Sequence, residues 1–467
     1  MCGIAGAFGS AAQDGTVEEM LERIAHRGPD GRGIYRSGDL ALGHVRLSIQ
    51  DPLPRSDQPY TYGETVITFA GEVWNWREIR EELETCGLEF ETEGDTETVA
   101  AAIDFYGRSE ALQLFEGLWT LAVHDRYGDS WLARDTFGKV PLYFHETGGG
   151  LLGCEVTWSS ERKAWTGDAR HLAEPVPPGC VVEFGATTEV FPYTGIAPTG
   201  PLTASQVLVN LREGVRTRLR LADVPVCCLI SGGLDSSLIL ALAKEEMPDV
   251  VAYCAYADPE SPDLLNARKV AAELDVPLRE VEVPWPDEEA VREAIRTIEI
   301  PMKAQIEIAT LCLPLAAQIS ADGFKVVLSG EGADEIFGGY GGMARRAGSD
   351  EEWRETRMVQ IEKMARGNFI RTNKTFMRHG VEMRLPFIDR QLIEGVLAHD
   401  RQGCPPGKGL LKDAATDIIP SYIIKRQKET FQGAAGVIDH MAGVLDGKQV
   451  KRYNEIVREE FGGMVRG

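Results

Sequence analysis

Between Val224 and Leu328, short and mostly apolar runs alternate with helical patterns. Val224 to Ile230 is followed by a helical pattern from Ser236 to Lys244. Val250 to Ala255 is followed by one from Leu264 to Leu274, and Lys325 to Leu328 is a third run. A strand that is apolar on both faces must be covered on both, and a helix between strands lets them run parallel. This alternation predicts an α/β domain built on a parallel sheet. From about Glu351 onward the pattern is mainly helical, and those helices are expected to pack on the same domain.

The chain ahead of this region reads differently. Leu40 to Val45, Val66 to Phe69 and Leu118 to His124 are short strands, the last ending at a turn around Tyr127-Gly128. Amphipathic helical patterns lie between them at Val17 to Ile24 and Trp76 to Glu84. Mixed strands and helices with many turns predict an α+β domain of layered sheets. The Pro-, Gly- and Thr-rich stretch Phe191 to Pro201 reads as a linker. The expected boundaries are 1–190, a linker over 191–203, and 204–467. At 467 residues the chain can fill two such cores.

The charge narrows the function classes. Lys plus Arg is 49 and Asp plus Glu is 72, a net charge of −23. A duplex-coating protein or an anionic-membrane binder needs a cationic face, so neither nucleic acid nor membrane is an expected partner. Phosphate held by backbone amides and a metal ion remains compatible with this charge. No run of 18 apolar residues predicts a membrane span, and no secretory signal pattern is visible at the first residues. Nine scattered cysteines without a CxxC fit reduced thiols and a cytoplasmic location.

Cys2 is the first candidate for chemistry. A small residue at position 2 permits removal of Met1, which leaves Cys2 with a free α-amine. An α-amine with a reference pKa of about 7.7–8.0 can serve as base for its own thiol. Around it stand Cys2-Gly3-Ile4-Ala5-Gly6, His26-Arg27-Gly28-Pro29-Asp30, Arg46-Leu47-Ser48-Ile49, Gly71-Glu72 and Gly94-Asp95. Arg134-Asp135-x-x-Gly138-x-x-Pro141-Leu142-Tyr143 and Ser160-Glu161-x-Lys163-Ala164 follow. In this order the motifs resemble the class II glutamine amidotransferase domain, an N-terminal-nucleophile hydrolase. The resemblance implies that Cys2 attacks the side-chain amide of glutamine and releases ammonia. Arg46 would hold the α-carboxylate, Glu72 and Asp95 the ammonium end, and Gly71 one side of the oxyanion site. That family carries Asn-Gly-Glu where this chain has Ala70-Gly71-Glu72. Loss of one oxyanion donor lowers rates by about 10²–10³.

The second candidate follows Val226-Cys227-Cys228-Leu229-Ile230. Ser231-Gly232-Gly233-Leu234-Asp235-Ser236-Ser237 opens a helical pattern, where glycines expose backbone N–H groups and a helix N-terminus favours anions. It resembles the pyrophosphate loop of the ATP pyrophosphatases and is not a Walker A loop. After the third strand comes Ser329-Gly330-Glu331-Gly332-Ala333-Asp334-Glu335, material suited to a metal and phosphate loop. Further on lie Arg371-x-Asn373-Lys374, Gly380 to Asp389, and Arg426-Gln427-Lys428-Glu429-x-Phe431.

Together these motifs resemble the asparagine synthetase family over about residues 2–435. The resemblance implies a ligase that uses ATP and Mg²⁺, with glutamine, ATP and a carboxylic acid acceptor as small-molecule substrates and a homodimer as a compatible assembly. The implied nucleotide contacts are Leu229, Ser231, Gly232, Gly233, Asp235, Ser236, Ser237, Tyr256, Ser329 and Gly330. Asp235 and Asp334 would carry the metal. Lys428 would neutralise the departing pyrophosphate, and Glu331 would deprotonate ammonia as it attacks an acyl-adenylate. The family's Thr-Thr-Ile-Arg in the aspartate-binding stretch stands here as Ala304-Gln305-Ile306-Glu307, so the acceptor is open. A cyclase of the β-lactam synthetase kind is disfavoured by Cys2 with Glu331, and a non-catalytic binding subunit by the intact Ser231–Ser237 loop.

Overall fold

The computed structural model describes residues 1–147, 155–184, 188–192, 194–426, 440 and 449–461. The chain divides into two compact units, Met1–Gly195 and Ile196–Val465.

The first unit contains β1 (Gly3–Phe8), β2 (Gly31–Ser37), β3 (Leu40–Arg46), β4 (Tyr60–Tyr62), β5 (Thr65–Val73) and β6 (Gly117–His124). β7 (Ser130–Arg134), β8 (Tyr143–Thr147), β9 (Glu155–Ser159), β10 (Glu174–Pro175), β11 (Cys180–Phe184) and β12 (Thr188–Pro192) follow. They form two six-stranded sheets, ordered β10-β8-β9-β1-β3-β2 and β12-β11-β7-β6-β5-β4. The sheets are antiparallel throughout and pack face to face. Phe8 of β1 and Trp158 of β9 meet Phe184 of β11, with ring centroids 5.5 and 5.3 Å apart. On the other face of β1, Ala5 and Ala7 pack on Val17, Met20 and Leu21 of the helix Thr16–Arg23. This is the strand alternation that splits one row of side chains between two layers. The helices Trp76–Thr85 and Asp95–Tyr106 pack on each other, and the second also covers β5. The layers are therefore helix, sheet, sheet, helix, as the α+β reading expects. Phe191 and Pro192 are a correction to the linker reading. They end β12, pairing with Val181 and Cys180, because alternation over five paired residues is hard to read beside Pro and Thr.

The second unit holds β13 (Val226–Leu229), β14 (Val251–Tyr256), β15 (Leu278–Glu282), β16 (Val326–Leu328) and β17 (Glu382–Arg384). All pairs are parallel, in the order β15-β14-β13-β16-β17. β17 lies inside the region expected to be helical. It has three residues, and Arg384 bonds Glu382 beside it and the carbonyls of Arg218 and Leu221. The chain leaves β13 toward β14 on one side and reaches β16 on the other, so the order reverses between β13 and β16. Ligands of open α/β sheets sit outside the strand C-termini at such a reversal. Among the described residues one helix, Lys303–Ala321, is long and apolar enough to cross a membrane by length and composition. Most of it is buried against β14 and the helices Glu288–Ile298 and Asn368–Met377.

Candidate functional site

Two clusters of chemistry-bearing residues emerge, one in each unit. In the first, β1, β3 and β5 deliver Cys2, Arg46 and Gly71-Glu72 to one cleft, and the start of the helix Asp95–Tyr106 delivers Asp95. Arg80 accounts for the placement of Asp95. Its guanidinium donates to the carbonyls of Thr92 and Gly94, 2.6 and 3.0 Å away, and pins the turn that opens the helix. Asp95 then accepts the Val73 amide at 3.1 Å. Gly71 has φ 132°, and a Cβ there would meet the Leu118 carbonyl oxygen at 2.2 Å, so no side chain fits. Ala70 is fully buried opposite Thr120 and brings no donor.

The Cys2 thiol is half-buried and points to the Leu47 carbonyl at 3.8 Å. Arg27, itself buried, donates through Nε to the Cys2 carbonyl at 3.2 Å and through Nη1 to Glu161 at 2.7 Å. Glu161 also meets Lys163 at 2.9 Å and His26 at 3.2 Å. Burial alone would raise the Glu161 pKa. Lys163, His26 and Arg27 outweigh it and hold the carboxyl well below its usual range. His44 is driven the other way, to about 3, by burial first and then by Arg46, so its ring is neutral. Lys139 donates to the Met1 sulfur at 3.3 Å. With Met1 in place the Cys2 nitrogen is a peptide amide, and an α-amine base exists only once Met1 is removed.

In the second unit the loops leaving β13 and β16 abut. A Cβ on Gly330 would lie 2.8 Å from the backbone of Asp235 and Ser236, so glycine lets the loops touch. Leu229 and Tyr256 end β13 and β14 on the same edge. Gly233 caps the helix Leu234–Glu246, and Ser236 Oγ accepts the Ser231 amide at 3.1 Å, shaping the loop. Ser237 is not brought to the loop surface. It is fully buried in the first helical turn, with no hydrogen-bond partner for its hydroxyl among the described residues. Ser329 Oγ accepts the Glu331 amide at 3.3 Å. Arg426 fastens the loop from outside, donating to the Gly232 carbonyl at 3.1 Å and to Asp263 at 2.7 Å. Lys428 lies outside the described residues.

Asp235 and Asp334 converge on one point, marked by a residue that the motifs did not single out. Lys408 Nζ lies 2.7 Å from Asp235 and 3.1 Å from Asp334. Lys408 is 5% exposed and holds φ 66°, a left-handed backbone that a non-glycine residue adopts at a cost of about 1–3 kcal/mol. The flanking Gly407 and Gly409 are the sequence signal that could have found it: a lone cation in a glycine turn.

Glu331 sits in a closed ring of hydrogen bonds. Arg371 Nη2 donates to Glu331 Oε2 at 2.9 Å, and its Nε donates to Gln305 Oε1 at 2.7 Å. Gln305 Nε2 donates to Asn368 Oδ1 at 2.9 Å, and Asn368 Nδ2 closes the ring on Glu331 Oε1 at 2.9 Å. Asn368 Nδ2 also donates to Glu335 Oε1 at 2.8 Å, which accepts from Tyr340 at 2.6 Å. Burial, and next the charge of Glu331, push Glu335 up to about 7. Glu307 is 2% exposed and already paired, with Lys303 Nζ 2.7 Å away.

Comparison with known proteins agrees with this division. The glutamine amidotransferase domain family matches residues 1–180, and the asparagine synthase family matches 206–357 and 345–458. Asparagine synthetase [glutamine-hydrolyzing] 1 of Arabidopsis thaliana is 30% identical over 98% of this chain and 83% of its own length. Asparagine synthetase [glutamine-hydrolyzing] 3 of the same plant is 32% identical over 93% of this chain and 79% of its own. A probable asparagine synthetase of Dictyostelium discoideum is 30% identical over 99% of this chain and 89% of its own. Among solved structures, the glutamine phosphoribosylpyrophosphate amidotransferase of B. subtilis matches 62% of this chain and 70% of its own, at 16% identity and a TM-score of 0.36. With both halves matched in order along nearly all its length, the chain belongs to the glutamine-hydrolysing asparagine synthetase family of ligases.

Proposed function

We propose that the chain amidates a carboxylic acid with ammonia drawn from glutamine, at the expense of ATP cleaved to AMP and pyrophosphate. In the first unit the Cys2 thiol attacks the glutamine amide carbonyl, ammonia leaves, and water hydrolyses the thioester to glutamate. Arg46 orients the α-carboxylate, Glu72 and Asp95 the ammonium, and the Gly71 backbone faces the oxyanion. Ala70 adds nothing there, so this half-reaction is slow relative to a site with two donors.

In the second unit the acceptor carboxylate displaces pyrophosphate from the α-phosphorus. Ammonia then attacks the acyl carbon, AMP leaves, and Glu331 takes the proton. The observation that carries this reading is the convergence of Asp235 and Asp334 at the sheet's reversal point, beside the loop from Ser231 and with Lys408 between them. Among the described residues no three His, Cys, Asp or Glu side chains cluster as a metal cage. Two carboxylate oxygens suit Mg²⁺, which fills its shell with water and phosphate oxygens rather than protein. Asp235 and Asp334 would hold it, and it would shield the charge that pyrophosphate departure develops.

Aspartate is the family's default acceptor. Our reading is that this chain turns aspartate over poorly. Glu307 stands where the family's pattern has an arginine, and Lys303 within the same helix already neutralises it. The pair leaves no spare cation for a second carboxylate on the acceptor. The test is pyrophosphate release with ATP, magnesium and ammonia across a panel of carboxylic acids that includes aspartate. Magnesium-dependent release with any acid supports adenylation, and silence across the panel with intact ATP rejects it.

A further inference from the structure

Arg46 has little left to offer a ligand as it stands. Its Nη1 donates to the Leu53 carbonyl at 2.8 Å and to Asp57 Oδ1 at 2.6 Å. Its Nη2 donates to the Asp51 carbonyl at 2.6 Å and approaches the Gln50 carbonyl at 3.5 Å. The four terminal N–H groups of the guanidinium are thus all directed at the chain's own loop, 50–57. Three of those acceptors are backbone carbonyls, fixed by the loop. The fourth is a carboxylate on a side chain that is 56% exposed, against 7% for Arg46. The flanking residues Ser56 and Gln58 line the same cleft as Cys2. Glu72, in the same cleft, also has an internal partner, since Gln50 Nε2 donates to Glu72 Oε2.

We propose that Asp57 is a positioning residue that imitates the α-carboxylate of glutamine on Arg46, so that glutamine binds by displacing it and this chain's affinity for glutamine is set by that exchange. The inference rests on Arg46 being the clamp for the α-carboxylate. Asp57 is the group displaced because it alone among the four acceptors is a side-chain group, and it is exposed, with solvent to move into. The exchange swaps one carboxylate for another of the same charge and geometry, so the Arg46 bonds reappear unchanged in the complex. What glutamine loses is the free energy of the internal pair. A partly exposed pair of this kind is worth a factor of about 2–5 in equilibrium. The exchange also confines the effect to ligands that carry an α-carboxylate. A ligand without one has no reason to move Asp57.

The test uses the full chain with Cys2→Ala, which binds without turnover. Isothermal titration measures glutamine and 4-aminobutanamide, which is glutamine without its α-carboxylate. Adding Asp57→Asn, or Asp57→Ala to remove the acceptor altogether, is expected to tighten glutamine by about 2–5-fold. The affinity for 4-aminobutanamide is expected to stay the same. Arg46→Met serves as the check on the clamp and is expected to weaken glutamine. If Arg46→Met weakens glutamine while both Asp57 variants leave it unchanged or weaker, the inference is overturned and the clamp stands. If the Asp57 variants tighten both ligands equally, the residue acts on the cleft as a whole and the inference is again overturned. If Arg46→Met leaves glutamine binding unaltered, or glutamine fails to bind any variant, the clamp itself falls, and the inference with it.

Discussion

Glu335→Gln tests the carboxyl beside Glu331 while keeping an acceptor for both of its side-chain donors. The side-chain donors Asn368 and Tyr340 both address Oε1. Glutamine can keep an oxygen there and place its NH₂ where the protonated Oε2 stands. The folded protein holds the Glu335 carboxyl at about 7, and the ordinary value is 4.5. Between those values the folded state binds more proton than the unfolded state, so Glu335 makes stability fall as pH rises. The penalty is absent below pH 4.5, grows through the interval, and is complete above 7. At full size it is about 3 kcal/mol, and between pH 5.5 and 8.5 it grows by about 2 kcal/mol. Guanidinium unfolding of the native chain and of Glu335→Gln at those two pH values reads the difference, followed by tryptophan fluorescence, to which Trp353, buried in the same unit, contributes. The variant is expected to gain about 2 kcal/mol more over the native chain at pH 8.5 than at 5.5. An equal gain or loss at both values would refute the reasoning, because an uncharged difference in packing carries no pH dependence.

Asp235→Ala is expected to remove most magnesium-dependent pyrophosphate formation, leaving an unshielded polyanion beside Asp334; unchanged release would sink the nucleotide assignment. Ala70→Asn is expected to raise glutamine hydrolysis by up to about 10²–10³, read as glutamate formed per minute. Efficient hydrolysis by the native chain that Cys2→Ala abolishes would instead place the second oxyanion donor elsewhere. With ATP, magnesium, ammonia and aspartate, little asparagine is expected, and rapid asparagine formation by chromatography would contradict the reading of Glu307. Glu307→Arg alone is not expected to restore it, since an arginine there would face Lys303 across one helical turn.

The parallel sheet was legible because its three inner strands are apolar on both faces and separated by helical periods. β17 was not, since three residues show no period, and neither was the strand ending at Pro192. Local chemistry was legible where a motif is contiguous. The Ser231–Ser237 loop and the Ser329–Asp334 loop lie together at the strand edge, and only the enclosure of Ser237 escapes a linear reading. Partnerships between distant positions were not legible. Lys408 lies 173 residues from Asp235, and Asp57 reaches Arg46 only because the loop between them folds back. At 307 the sequence shows only an acid where the family's pattern has an arginine. The structure pairs it with Lys303, four residues earlier in its own helix.

The ring through Glu331 has a direction. The Arg371 guanidinium can only donate, so Gln305 must turn its oxygen toward it and its NH₂ toward Asn368, which in turn must aim its own NH₂ at the two carboxyls. No member can reverse alone without setting donor against donor or acceptor against acceptor. Substitutions at 305, 331, 368 and 371 should therefore be strongly epistatic, each change harmful singly and tolerable only beside a matching one. Sequences that diverge here are expected to change in sets, so the residue acceptable at 305 depends on the one at 368. A change of acceptor that runs through this ring would then arrive as a jump between whole networks rather than as a series of single steps.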